Sequence, residues 1–445
     1  MHHSLTIQIC KQKHMHPSAT IAKNRILTVD ALRGFALLGI MIVHFLFWYT
    51  AGPLPEAVYS KYNDIGSTIA RIFSEIFLSG KFFAFFSFLF GLSFYLQTGE
   101  RREGRTGVVG RFAWRITLLL LIGLVHHAFW QGDILSIYAP LGFLLLAARP
   151  LSNRWVLILG VLLAINFPGK IMTAVQMLSA APPSGGFGDF AAMGKEYDKV
   201  ITTGTLPEVL RFNLLHLKSK FDFQIGSGRL FVTMGFFLLG MYVGRQRWFE
   251  QGEDVRAVWR KICKRSAAIA GVCLAIGLSI FAANEIGKLG LEQKPAVGFF
   301  FSFLFDGFNA SLVAFYVSGL TLLMFRLRWR RFFFSMAPVG KMALTSYLTQ
   351  TVFGLLLFWG FGAGLYTKTS LGANFLIAIL FFYVQVVISK YWLQSFYYGP
   401  VEWLWRSATL LKVQKFKREK SRPEVSPTTV VTTLVDTTKT EVPTL

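Results

Sequence analysis

Residues 25–49 read RILTVDALRGFALLGIMIVHFLFWY. From Ile26 to Tyr49 the run is apolar apart from Thr28, Asp30, Arg33 and His44, and it is long enough to cross a bilayer core, which takes ~20 helical residues. In hydrocarbon every backbone N–H and C=O must be satisfied within the segment, so such a run is a helix. Similar runs recur near 67–97, 112–130, 134–149, 155–176, 229–245, 265–284, 297–325, 338–360 and 371–393. They predict an all-α fold: a polytopic integral membrane helical bundle of about ten transmembrane helices. The alternating segments of ~10 residues that mark a membrane β-barrel are absent.

Composition agrees. The chain is 53% hydrophobic and 16% charged, where soluble domains carry roughly 25% charged residues. Most of it cannot face water. The net charge of +23 does not indicate nucleic acid, because Lys and Arg fall in short clusters between apolar runs. That is how cytoplasmic loops of membrane proteins look. The clusters are Lys23, Arg25 and Arg33; Arg101 to Arg115; Arg149 and Arg154; Arg245 to Arg265; and Arg326 to Arg331. With an even span count all of them fall on one side, which puts both termini in the cytoplasm. The three cysteines, Cys10, Cys263 and Cys273, are spaced for neither a disulfide framework nor a metal site.

The expected organisation is a disordered cytoplasmic leader at 1–24, an N-terminal transmembrane half at 25–176, an extracytoplasmic loop at 177–228 with one or two short helices, a C-terminal transmembrane half at 229–410, and a disordered cytoplasmic tail at 411–445 that begins basic. Membrane lipids are expected partners of that basic stretch.

A charged group inside a span costs ~2.5–3.5 kcal/mol on insertion scales, so each one is a candidate for function. Asp30 and Arg33 are spaced to pair on one helical face. Arg33 and His44 lie close to three full turns apart, on one stripe, with His44 ~16 Å deeper. An Arg at the cytoplasmic surface suits the phosphates of an anionic cofactor, and the His suits a general base. The alternative is an end-cap ion pair plus an interfacial histidine beside Trp48 and Tyr49. Lys81 sits mid-span in FLSGKFFAFFSFLFGLSFY and needs a partner, with Glu75 and Asp306 as candidates. In LVHHAFWQGDILSIYAPLGF, His126 and His127 point about 100° apart, so at most one faces any given site. Asp133 either caps a helix or orients an imidazole. Arg229 opens a span, and Asp306 is the most isolated intramembrane carboxylate.

Five stretches together resemble the YeiB-like family, whose C-terminal half is called domain of unknown function 418. They are VDALRGFALLGI (29–40), GKFFAFFSFLFGLSF (80–94), LIGLVHHAFWQGDILSIYAPLGFLLL (121–146), PVGKMALTSYLTQT (338–351) and GPVEWLWRSAT (399–409). The likeness runs from about 25 to 410. That family is related to transmembrane acyltransferases of the acyltransferase-3 and heparan-α-glucosaminide N-acetyltransferase type. In the former an Arg is followed, after ten intervening residues, by an essential His, and Arg33 and His44 match that spacing. The resemblance implies an O- or N-acyltransferase of the bacterial cytoplasmic (inner) membrane, moving an acyl group from acyl-CoA (acetyl-CoA) to a small-molecule or glycan acceptor. No metal is expected, and a homodimer is a candidate assembly. His44, His127 and Asp133 would then be catalytic. Asp30, Arg33, Lys81, Arg229 and Asp306 would bind substrate or cofactor. A transporter or permease for a small anion or metabolite is the rival expectation, with Lys81, Asp306 and Arg229 as its pathway.

Overall fold

The run at 25–49 forms helix α1 (Pro17–Val43), whose last turn, His44–Trp48, widens into a π-helical turn. The structure is a computed structural model and describes residues 17–49, 62–99, 107–179, 187–249 and 255–419. The helix starts at Pro17, inside the stretch expected to be a disordered leader; residues 1–16 lie outside the described residues, with Cys10 among them.

Helices follow one another almost without interruption. They are α2 (Ile65–Phe77), α3 (Phe82–Thr98), α4 (Val108–Phe129), α5 (Leu135–Ala147), α6 (Asn153–Ala164) and α7 (Phe167–Ser179). Next come α8 (Phe187–Thr203), α9 (Leu206–Leu215), α10 (Leu217–Gly226), α11 (Arg229–Arg245), α12 (Arg256–Gly287) and α13 (Pro295–Met324). The last are α14 (Leu327–Ser335), α15 (Ala337–Lys341), α16 (Ala343–Phe358), α17 (Leu371–Ser395) and α18 (Pro400–Leu410). Among the described residues there is no strand; an isolated antiparallel bridge joins Phe396 to Lys417.

The protein is a polytopic helical integral membrane protein. Six stretches are long and apolar enough to span a membrane: Leu27–Phe47, Ile65–Thr98, Val108–Phe129, Arg256–Gly287, Pro295–Met324 and Leu371–Ser395. Two bent pairs bring the number to eight at most: α6 with α7, bent by 51°, and α10 with α11, bent by 70°. The sequence suggested about ten. The remaining two are α5 and α16, apolar helices of under 18 residues. At ~1.5 Å per residue neither crosses a ~30 Å hydrocarbon core alone. Both carry many buried residues, so their apolarity reflects burial among other helices as well as contact with lipid.

Lipid offers no hydrophobic force to drive helices together, so small residues that let backbones approach matter. A Cβ on Gly91 of α3 would lie 1.9 Å from the Phe237 oxygen, and one on Gly240 of α11 would lie 1.9 Å from the Phe88 oxygen. Gly340 of α15 meets the Asp30 oxygen of α1 at 1.8 Å in the same sense. Gly240→Ala is therefore expected to push α3 and α11 apart at a cost of about 1–3 kcal/mol, seen as a lower melting temperature in detergent. An unchanged melting temperature would contradict this packing.

The 177–228 segment holds three helices, α8, α9 and α10, where one or two were expected, and they dock on the bundle. Gly360 N donates to Ile201 O (2.8 Å), Tyr366 Oη donates to Asp198 Oδ1 (2.6 Å) and Asn213 Nδ2 donates to Ala128 O (2.9 Å). The tail also departs from expectation. Residues 411–419 fold back, with the Phe416 ring 4.6 Å from Phe396 and 5.0 Å from Trp403, and Tyr397 N donating to Phe416 O (2.9 Å). Residues 420–445 lie outside the described residues.

Several basic clusters meet in space. Arg245 donates to the backbone oxygens of Arg149 and Leu151, both at 2.7 Å. The Trp248 ring reaches Trp259 at 5.6 Å, and Arg256 lies over Phe325 at 5.7 Å. Lys341 is within electrostatic reach of both Asp30 and Arg418. Asp30 of α1 and Arg418 near the end of the described residues thus meet around Lys341.

Candidate functional site

Four residues on one stripe of α1 lead into the site. Arg33, Leu37 and Ile40 line a cavity of about 210 Å³ that opens toward the basic end. His44, one turn further, lies beyond the cavity floor. The α-helical repeat holds from Arg33 to Val43, which puts all four on the same side.

Three cations line the cavity: Arg33, Arg115 and Lys341. Arg33 donates to Asp30 Oδ1 and to Ser93 Oγ, each at 2.6 Å. The Arg115 guanidinium stacks 3.8 Å above the Trp405 ring, whose Nε1 donates to the Arg115 oxygen (3.0 Å). Glu402 also lines the cavity, but its carboxylate is committed elsewhere. It accepts from Leu344 N (2.6 Å), Thr345 N (3.0 Å) and Thr345 Oγ1 (2.5 Å), and so caps the start of α16 from α18. Such a cap satisfies orphan N–H groups and the positive helix end together. The walls are largely apolar, with Phe90, Phe94 and Leu119 among them, and Tyr138 and Tyr347 also line the cavity.

Beyond Tyr347 lie two histidines in an aromatic box. The His44 ring is 4.7 Å from Trp130, 5.4 Å from Tyr49 and 6.3 Å from Tyr347. The His126 ring is 5.1 Å from Tyr347 and 5.8 Å from Trp130. Their bonding differs. His44 keeps partial exposure, and its Nδ1 is buried without a hydrogen-bond partner. His126 is tied at both nitrogens: Nδ1 to Asp133 Oδ1 (2.7 Å) and Nε2 to Thr351 Oγ1 (3.0 Å). Tyr49 Oη donates to the same Thr351 oxygen (3.1 Å).

Asp133 serves both roles considered for it. It accepts from Leu135 N (3.0 Å) and Ser136 N (2.8 Å), capping the start of α5, and it orients an imidazole. The imidazole is that of His126, whereas the sequence reading had grouped His127 with Asp133. His127 faces the docked loop instead, with Nε2 against Asn213 O (2.9 Å) and Nδ1 against Lys220 Nζ (3.3 Å). Lys220 continues to Ser136 Oγ (2.8 Å) and Asp133 Oδ2 (3.4 Å).

The other sequence candidates sit apart from the cavity lining. Lys81 is fully buried; its Nζ donates to the Glu75 backbone oxygen (2.8 Å) and lies over the Phe308 (5.3 Å) and Phe305 (5.8 Å) rings. Asp306 pairs with Lys170 at 2.5 Å, so it is not the partner of Lys81. Arg229 stacks over Phe83 at 4.5 Å and lies within electrostatic reach of His44 and Tyr138. Among the described residues no group of three or more His, Cys, Asp and Glu side chains is arranged to hold a metal ion.

The family "Protein of unknown function (DUF418)" matches residues 243–412. Uncharacterized protein YxaH of Bacillus subtilis (strain 168) is 29% identical over 419 residues, covering 90% of this chain and 98% of that one. Uncharacterized protein YeiB of Escherichia coli (strain K12) is 26% identical over 413 residues, covering 87% and 96%. The family match and these two relatives support a YeiB-like family. A Bacillus acidopullulyticus relative, described as an uncharacterized 39.9 kDa protein in the amylase 3′ region, is 26% identical over 390 residues and covers 86% and 94% of the two chains. No solved structure matches the chain. The segment that matches DUF418 supplies Lys341, Tyr347, Thr351 and Glu402, while Arg33, His44, His126 and Asp133 come from the part that precedes it. The site is completed where the two halves meet.

Proposed function

We propose that this YeiB-like protein is a membrane acyltransferase that moves an acyl group from cytosolic acyl-CoA to a hydroxyl or amine acceptor at or across the membrane. One observation carries the reading. A cavity lined by Arg33, Arg115 and Lys341 has largely apolar walls that include Tyr347, and two histidine rings lie 5.1 and 6.3 Å from the Tyr347 ring. The guanidinium forks match phosphate oxygens. The apolar walls suit a pantetheine arm. His44, with its partial exposure, suits deprotonation of an acceptor. In this reading the basic end faces the cytoplasm of a bacterium, from which the donor enters, and the acceptor arrives from the opposite side.

The transporter reading has its own support. The bends of α6–α7 and α10–α11 meet at Asn166 and Gly228, where a Cβ on Gly228 would lie 2.1 Å from the Asn166 amide nitrogen, and broken helices line substrate paths in transporters. The Lys170–Asp306 pair stands beside that junction.

Calorimetric titration of the purified protein in nanodiscs with acetyl-CoA separates the two. Binding is expected, and Arg33→Ala is expected to weaken it by roughly 10-fold to 100-fold, the scale of one lost charge-assisted contact of ~1.5–3 kcal/mol. Equal affinity in wild type and Arg33→Ala would remove the donor site. Solute uptake by proteoliposomes without any acyl-CoA would favour the transporter.

A further inference from the structure

We infer that Thr351, His126 and Asp133 form a buried nucleophilic triad, and that the acyl group rests on Thr351 Oγ1 as an ester between donor and acceptor. The inference rests on the acyltransferase reading and names the step that reading leaves open. A direct transfer needs donor and acceptor in one chamber at once. A covalent intermediate lets them arrive in turn from opposite ends.

The geometry is that of a nucleophile, a base and an orienting group. The Asp133 carboxylate accepts from His126 Nδ1 at 2.7 Å, and His126 Nε2 faces Thr351 Oγ1 at 3.0 Å, where with the proton on Nδ1 its lone pair can accept the hydroxyl proton. Asp133 is itself fixed by the backbone N–H groups of Leu135 and Ser136. The Thr351 hydroxyl has a competing acceptor in the Tyr347 backbone oxygen, at a longer 3.4 Å. Tyr49 Oη donates to Thr351 Oγ1 at 3.1 Å and so fixes the oxygen's position without taking its proton. An active nucleophile is recognised by this chain of contacts. Thr351 is one helical turn beyond Tyr347 on the same face of α16, so it lies next in line behind the residue that closes the cavity. Trp130 adds an indole N–H that is buried without a partner, in a ring 5.8 Å from His126; such a donor suits a tetrahedral oxyanion.

The step balances. Thr351 Oγ1 attacks the thioester carbonyl carbon, and its proton passes to His126 Nε2. The C–S bond breaks, an O–C ester bond forms, and the CoA thiolate leaves with the proton from His126. In the second half the acceptor oxygen or nitrogen attacks the ester carbon as its proton passes to His44; the ester C–O bond to Thr351 breaks, Oγ1 is reprotonated by a solvent proton relayed through His126 Nε2, and His44 returns the acceptor's proton to solvent. Two histidines then have separate duties: the one bound at both nitrogens activates Thr351, and His44, whose ring has no hydrogen-bond partner among the described residues, receives the acceptor's proton.

The test is to incubate the full chain in nanodiscs with radiolabelled acetyl-CoA and no acceptor, quench in acid, and map the label by peptide mass spectrometry. One acetyl group is expected on the peptide carrying Thr351, in a linkage stable to neutral hydroxylamine. Thr351→Val is expected to lose the label, Thr351→Ser to keep it, and His126→Ala to reduce it at least 10-fold. His44→Ala is expected to take up the label as the wild type does and, when an acceptor is then added, to keep it where the wild type loses it, because only the second half-reaction uses His44. Acetyl transfer without label at Thr351, or turnover that survives in Thr351→Val, would overturn the inference and leave the acyltransferase reading intact. Failure of the wild type to bind acetyl-CoA or release its thiol would overturn both.

Discussion

His44→Ala is expected to lower acyl transfer by roughly 10²–10⁴-fold, the usual contribution of a general base, with the fold retained. Retention of the fold follows from the bonding. The His44 ring has no hydrogen-bond partner among the described residues, and its Nδ1 is buried. Removing it leaves no donor or acceptor orphaned, and it withdraws a buried polar atom that was unsatisfied already. What is lost is ring packing against Trp130 and Tyr49, and those rings still pack on each other at 4.7 Å. The measurement is thiol release from acetyl-CoA with an acceptor present, beside a melting curve. Wild-type turnover in a folded His44→Ala protein would remove His44 from the mechanism.

Asp133→Ala is expected to act in the opposite way, with a large loss of stability as well as of activity. The Asp133 carboxylate serves His126, two backbone N–H groups and Lys220 at once, and the residue is 1% exposed. Its removal leaves the Lys220 ammonium buried against the His127 ring and a Ser136 hydroxyl. Breaking a buried ion pair from one side costs ~3–5 kcal/mol, because the surviving charge has nowhere to go. The protein should accumulate poorly or melt well below wild type. Adding Lys220→Met should recover much of the stability, since it removes the stranded charge, and none of the activity, since His126 stays without its orienting group. A single Asp133→Ala protein as stable as wild type would show that the ion pair carries no weight in the fold.

The spans and the stripe on α1 were legible because they depend on local periodicity. Apolar runs of sufficient length must be helices in lipid, and residues 33, 37, 40 and 44 share a helical face whatever packs against it. The span count was less legible. α5 and α16 look like spans in composition, yet they are short helices with much of their surface against other helices. The choice between His126 and His127 was closed to sequence reasoning: adjacent residues face different ways, and only the position of Asp133 after the turn decides which ring meets it. Lys220 was hidden for another reason. It lies in an amphipathic loop whose charges look solvated, and its burial comes from the docking of α9 and α10 beneath the histidines. Thr351 carried no signal beyond its four-residue spacing from Tyr347. Lys81 and Asp306 were conspicuous as charges inside apolar runs, but their partners are a backbone carbonyl with two phenyl rings, and Lys170. Intramembrane charge marks where a partner must exist and does not say which one.

On this reading the basic cavity receives an acyl-CoA. An electron cryo-microscopy map of the protein in nanodiscs with acetyl-CoA tests it most directly. Nucleotide density is expected against Arg33, Arg115 and Lys341, with the pantetheine arm running between the apolar walls to Tyr347. Saturating acetyl-CoA that leaves this cavity without ligand density, or that binds at the opposite end of the bundle, would contradict it.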